Sequence, residues 1–233
     1  MRRHWYRFHQ FMDRHFQPVC KWLMILNVGM FLLTALAAVL IDAVFKTRVA
    51  YWIYQELAQV PGQVVRKFEV WRLITYSFLH ADGIHLLFNM LMLYFFGSMV
   101  ESWMGSRRFL RFYLIVVVGA ALVHTVFSLL PTQSLESAMI GSSGGMYGIL
   151  VAAAVYAPNQ VVLFNFLLPI RLKYLVMILI GLEFIMTAGT AAGGTSQISH
   201  ITHLSGALIA LGLLMGPGVL KRRRQYGGAP CKY

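Results

Sequence analysis

Charge is scarce in this chain. Only 12% of its 233 residues are Asp, Glu, Lys or Arg, and just eight are acidic. Soluble domains carry about 25% charged residues, so an ordinary water-facing surface is excluded. Cysteine is scarcer still. Cys20 and Cys231 lie near the two ends, with both expected on one side, so no disulfide framework crosses the chain and the fold must stand on packing alone. No internal repeat is detectable.

What is abundant is apolar: 58% of the residues are hydrophobic, as in a polytopic membrane protein. The formal net charge of +12 would suit a nucleic-acid binder, but the basic residues stand in short clusters between apolar segments. That is how topology signals are distributed, and it argues against a nucleic-acid partner.

Six segments have the length or composition of apolar helices: Trp22–Ile41, Ile84–Val100, Phe109–Leu130, Ser143–Ala157, Leu172–Thr187 and Ile201–Gly216. Residues 1–21 are basic and aromatic, and read either as an interfacial segment or as a solvated tail. Residues 22–220 form one six-helix domain, and 221–233 a basic tail. Ala35-Leu36-Ala37 imitates a signal-peptidase site but lies inside an apolar run, so no cleavage is expected. The connection 42–82 mixes charges with aromatics and is expected to lie partly in the interface. The apolar stretch 161–170 is too short to cross and is expected to follow the cytoplasmic interface.

Grouping residues 1–21, Arg107/Arg108/Arg111, Arg171/Lys173, Lys221 to Arg224 and Lys232 collects 15 of the 20 basic residues on one side. The positive-inside rule makes that side cytoplasmic, with both termini on it.

The stretch Gly141-Ser142-Ser143-Gly144-Gly145-Met146-Tyr147-Gly148 places a hydroxyl at the mouth of an apolar helix. A helix begun at Ser143 leaves its first N–H groups unpaired, ready to hold an oxyanion beside a nucleophile. Gly141/Gly145 and Gly144/Gly148 are also small-xxx-small pairs suited to close helix packing. Depth favours chemistry. Asn89 lies 18 residues from Arg107, His203 lies 18 from Lys221 and Ser143 lies 15 from Pro158. At about 1.5 Å per residue, all three stand ~22–27 Å up a slab of ~30 Å. Polar groups are expensive there. A hydroxyl, an imidazole and an amide at one level could serve as nucleophile, base and oxyanion donor. His85 shares a helix face with Asn89, and His200 shares one with His203.

These residues make the chain resemble the rhomboid intramembrane serine proteases in their six-helix bacterial form. The resemblance rests on Trp71-Arg72, on His80, His85 and Asn89, on Gly141-x-Ser143-Gly144 with Tyr147, and on His203-Leu-Ser-Gly206. It covers Glu69 to Gly216, and implies an all-α six-transmembrane-helix bundle with a long interfacial first loop. It also implies Ser143 as nucleophile and His203 as general base. The Ser143 amide, His85 and Asn89 would be oxyanion donors, and Tyr147 would pack on the His203 ring. Gly141, Gly144 and His80 take supporting positions, and Glu69, Trp71, Arg72 and Gly206 structural ones. Glu101 resembles a buried structural acid.

The family's pair works without a third acid, and no acidic residue here stands out as an orienting partner. Glu183 is unexplained by the motifs, and a structural hydrogen bond is the reading given to it. Thr202 and Ala210 stand where the family usually has Ala and Gly. No metal or cofactor is implied. The implied substrates are transmembrane proteins cut in or near their spans, in a lipid bilayer and in a bacterial inner membrane, with oligomeric state left open. Substrate helices must unwind to be cut, which favours small residues at the cut and Gly or Pro nearby. Gly189 to Ser196 reads either as a flexible gate or as an ordinary surface loop. Two other classes compete. One is a rhomboid-like protein that binds membrane clients without cutting them. The other is a metal transporter using His80, His85, His200 and His203, for which Asp82 is the one acid nearby.

Overall fold

The computed structural model describes residues 17–42, 45–131, 133–164, 167–189 and 196–215. Most of the basic N-terminal segment, the centre of the Gly-rich 189–196 loop and the basic tail lie outside the described residues, as does Cys231.

Helix α1 spans Pro18–Ile41. Pro18 opens it where a missing N–H is harmless, and the next two amides, of Val19 and Cys20, donate to the two Glu101 carboxylate oxygens at 2.9 Å each. A carboxylate from another helix thus satisfies donors that the helix start leaves unpaired, and sits at its positive end. Ser106 Oγ donates to the same carboxylate at 2.6 Å. Buried Glu101 thereby joins α1, the end of α5 (Gly83–Met104) and the start of α6 (Ser106–Phe127).

The connection expected to be long and interfacial is built from three short helices, α2 (Val49–Leu57), α3 (Pro61–Lys67) and α4 (Arg72–Thr75), and a 3-10 turn at Tyr76–Phe78. Trp52, Phe68 and Trp71 are exposed on it. Buried Arg72 organises this region. Its guanidinium donates to the Gln55 and Ala58 carbonyls at 2.5 and 2.8 Å and to Glu69 Oε2 at 2.5 Å. Trp71 Nε1 donates to the Glu56 carbonyl at 3.2 Å. The carbonyls that α2 leaves open at its C-terminus are therefore held by a cation that also complements the helix dipole. Arg72→Lys cannot reproduce this fork. Removing one partner of a buried charge network costs about 3–5 kcal/mol, so thermal unfolding in detergent should shift clearly downwards for Arg72→Ala, with little rescue by Arg72→Lys. A wild-type melting temperature for both would refute that assignment.

At the centre stands α7 (Ser143–Tyr156), buried almost all round, with Met146, Ile149, Ala152 and Ala153 fully enclosed. It packs between α6 and α9 (Ser196–Leu214), with α8 (Leu172–Gly189) alongside. The periphery is apolar: Leu32, Leu33 and Val39 on α1 and Met177, Phe184 and Ile185 on α8 are exposed. An apolar core inside an apolar shell suits a lipid solvent, because helices satisfy their backbone groups internally. Three helices, α1, α5 and α6, are long and apolar enough to cross a membrane, while α7 and the described part of α9 from His200 are shorter apolar helices.

The all-α expectation needs one correction. Residues assigned to a short interfacial stretch form an antiparallel hairpin, β1 (Val161–Phe164) with β2 (Leu168–Arg171), paired from Val161↔Arg171 to Phe164↔Leu168. The run Val-Val-Leu-Phe is β-branched and aromatic, which suits a pleated strand better than a helix. The start of α8 is tied to it, as Leu172 N–H donates to the Gln160 carbonyl at 2.8 Å.

Candidate active site

The loop before α7 is held from outside. Gln59 and Met139 exchange backbone hydrogen bonds at 3.0 and 2.9 Å, and Gly141 N–H donates to the Tyr76 carbonyl at 2.9 Å. Gly141 has φ +107°, a conformation L side chains rarely adopt, and a Cβ there would stand 2.7 Å from His85 Cε1. Only glycine permits both the bend and this approach. The chain therefore enters α7 at Ser143 with its first amides free of intrahelical partners.

Helix α9 carries the histidines. A Cβ on Gly206 would lie 2.1 Å from the Gly144 carbonyl oxygen, and one on Gly144 would lie 3.0 Å from Thr202 Cγ2. The two backbones can approach only because these positions lack side chains. That approach brings His203 Nε2 to 2.7 Å from Ser143 Oγ. Tyr147, one turn after Ser143 on the same face, stacks on the His203 ring with centroids 4.5 Å apart and planes 10° apart. Thr202 is buried, with its hydroxyl 2.9 Å from Met139 Sδ, and Ala210 is fully buried. Both fit the close contact where the sequence departs from the family.

The other His203 nitrogen also has a partner. Nδ1 lies 2.9 Å from Glu183 Oε1, on α8. The same oxygen accepts the Tyr147 hydroxyl at 2.5 Å, and Glu183 Oε2 lies 2.5 Å from His200 Nδ1. This contact was not evident in the sequence, since Glu183 stands twenty residues before His203 on another helix. An acidic residue inside an apolar span was the one signal available.

On α5, the Asp82 carboxylate caps the first turn by accepting from His85 N–H at 2.8 Å. His85 thereby rests against Gly141, two residues from the serine. Asn89 is buried one turn further on, and its amide nitrogen has no hydrogen-bond partner among the described residues. His80 is buried beside His85, with ring centroids 5.0 Å apart. Its carbonyl accepts the Tyr54 hydroxyl at 2.6 Å. Burial, and then the neighbouring His85, push its imidazole down to about 4, so it is neutral near pH 7. Glu69, Trp71 and Arg72 serve the α2 terminus instead of this cluster.

Among the described residues, Glu183, His200 and His203 form the one group of three side chains that could hold a metal, with ligand atoms within 4.8 Å of one another. Tetrahedral zinc at ~2.0–2.1 Å from each ligand would hold those atoms about 3.3 Å apart. The observed nitrogen–oxygen separations of 2.5 and 2.9 Å are hydrogen-bond lengths, so they fit shared protons and not a coordinated ion. His80 and His85 do not join the group.

Fold and site together define an integral membrane protein with a serine–histidine pair at the start of its central helix. Residues 67–222, well over half of the chain, match the Rhomboid domain family. The chain is 32% identical to RHOMBOID-like protein 1 of Arabidopsis thaliana over 167 residues, covering 71% of this chain and 38% of that protein. It is 33% identical to rhomboid protease GluP of Bacillus subtilis over 153 residues, covering 66% and 28%. With rhomboid protease GlpG of Haemophilus influenzae it shares 27% over 155 residues, covering 66% and 73%. The chain belongs to the rhomboid family. It spans less than half the length of the Arabidopsis RHOMBOID-like proteins 1 and 2.

Proposed function

We propose that the chain is an intramembrane serine endopeptidase that cuts peptide bonds in or next to transmembrane segments. The observation that carries this reading is the 2.7 Å contact between Ser143 Oγ and His203 Nε2 at the N-terminus of a buried helix. Ser143 Oγ attacks the scissile carbonyl carbon as its proton passes to His203 Nε2. The imidazolium then protonates the leaving amide nitrogen as the C–N bond breaks, and water releases the acyl group by the reverse proton route. The Ser143 amide, the unpartnered Asn89 amide and His85 are the donors for the oxyanion. Tyr147 holds the base in plane by stacking.

All six apolar helices cross the bilayer in this reading, with the first loop in the outer interface and both termini cytoplasmic in a bacterial inner membrane. The close pairing of serine and histidine disfavours a client-binding role without cleavage. The hydrogen-bond spacing at Glu183 disfavours metal transport. Purified protein in detergent should cleave a generic transmembrane reporter at small residues, in the presence of a chelator. No cleavage of any such reporter by a folded sample would refute the activity.

The oxyanion donors separate from the nucleophile in a second test. Asn89→Ala and His85→Ala should each lower kcat by up to ~10²–10³ with a smaller change in KM. Fluorophosphonate labelling of Ser143 should weaken in Asn89→Ala without vanishing. Wild-type cleavage rates in both variants would remove α5 from the chemistry.

A further inference from the structure

We propose that Glu183 is the positioning residue of a Ser143–His203–Glu183 triad, fixing the imidazole tautomer that can accept the serine proton; this rests on the endopeptidase reading above. Glu183 is only 11% exposed by side chain, in an apolar helix where an ionised carboxylate is costly unless its oxygens are satisfied. It has three neighbours at hydrogen-bond distance: the Tyr147 hydroxyl and His203 Nδ1 on Oε1, and His200 Nδ1 on Oε2. A carboxylate offers acceptors only, so all three neighbours must donate. The proton of neutral His203 therefore sits on Nδ1, which leaves the Nε2 lone pair facing Ser143 Oγ at 2.7 Å.

The consequence is chemical. With the proton on Nε2 instead, His203 would donate towards Ser143 and could not act as its base. When Ser143 Oγ bonds to the scissile carbon, its proton moves to Nε2 and the ring becomes an imidazolium. The Glu183 charge, 2.9 Å from Nδ1, stabilises that cation without taking its proton. Tyr147 holds His203 twice over, by stacking on the ring and by sharing Oε1 with it. His200 occupies Oε2, so the carboxylate cannot rotate away from His203 without losing a bond. Three helices, α7, α8 and α9, thus converge on one carboxylate, and the base is oriented by tertiary packing.

Glu183→Gln tests this. Glutamine keeps the volume but offers one acceptor oxygen, with an NH2 in place of the other, so it cannot serve donors on both sides and carries no charge. We expect kcat to fall by about 10²–10⁴, as when a triad acid is neutralised. KM should change little, and fluorophosphonate labelling should slow in proportion, while Glu183→Asp restores part of the rate. A purely structural carboxylate predicts a shift in melting temperature with kcat per folded molecule unchanged. Glu183→Gln cleaving and labelling at wild-type rates, while Ser143→Ala does neither, would overturn the triad and leave the protease reading standing.

The wild-type protein supplies a test that depends on no variant folding. In the full chain with 15N-labelled histidine, the His203 ring should carry its proton on Nδ1, and its signals should be assigned by their loss in His203→Ala. A ring protonated on Nε2 alone would overturn the proposal whatever the activity data show. Failure of the wild-type protein to cleave or label with His203 protonated on Nδ1 would instead refute the protease reading and keep the Glu183 contact.

Discussion

Ser143→Ala is expected to abolish reporter cleavage and fluorophosphonate labelling together, and His203→Ala to do nearly the same. The hydroxyl and the imidazole are 2.7 Å apart, and in the proposed mechanism they share one proton in the step that forms the acyl bond, so there neither works without the other. Groups that act as a unit are strongly non-additive, and each loss alone should cost about as much as losing both, of order 10⁶ in kcat. The double variant should therefore be no worse than Ser143→Ala. What remains in either variant comes from binding and oxyanion donors. The comparison is made on reporter cleavage by detergent-purified protein at equal folded concentration. Cleavage surviving in Ser143→Ala would remove the serine mechanism, and additive losses in the double variant would show that the pair is not coupled.

The second large effect is expected at a residue with no functional group. A side chain on Gly206 would begin 2.1 Å from the Gly144 carbonyl oxygen, a backbone atom that no rotamer change can move. Gly206→Val must push α9 away from α7, and these helices carry the proposed base and nucleophile. Overpacking of this kind costs about 1–3 kcal/mol, and a misplacement near 1 Å can cost ~10² in rate. Lowered melting temperature and loss of at least that factor in kcat are expected together. Gly119→Ala is the matched comparison, because the atom nearest its new Cβ is the flexible tip of Ile209, at 2.7 Å. It should leave activity close to wild type. Equal behaviour of Gly206→Val and wild type would mean that the approach of the two helices does not set the geometry of the site.

The helix segments were legible because hydropathy is a local property. The expected segment Ile84–Val100 lies within Gly83–Met104, Phe109–Leu130 overlaps Ser106–Phe127, and Ser143–Ala157 ends one residue after the observed helix. Hairpin 161–171 was less legible, because a four-residue apolar run does not show whether it will find a strand to pair with. The common level of Ser143 and His203 was legible, but not the direction of their side chains. Counting residues from basic ends put Ser143, His203 and Asn89 at one level, since polar groups within a span have few tolerable heights. The rotation of each helix was not available. α7 is apolar all round, so no periodic face shows which neighbour Ser143 meets.

The sequence by itself thus determined a membrane-embedded chain, the places of its apolar helices and the shared level of its serine and histidine, because the cost of burying polar groups in lipid acts residue by residue. Only the tertiary structure decided that Glu183 meets Nδ1 of His203 and that Arg72 closes the end of α2. It also decided that Gly206 rests on the Gly144 carbonyl. Such contacts join residues up to 62 positions apart, as Gly144 and Gly206 are, and they depend on how whole helices turn and pack against each other.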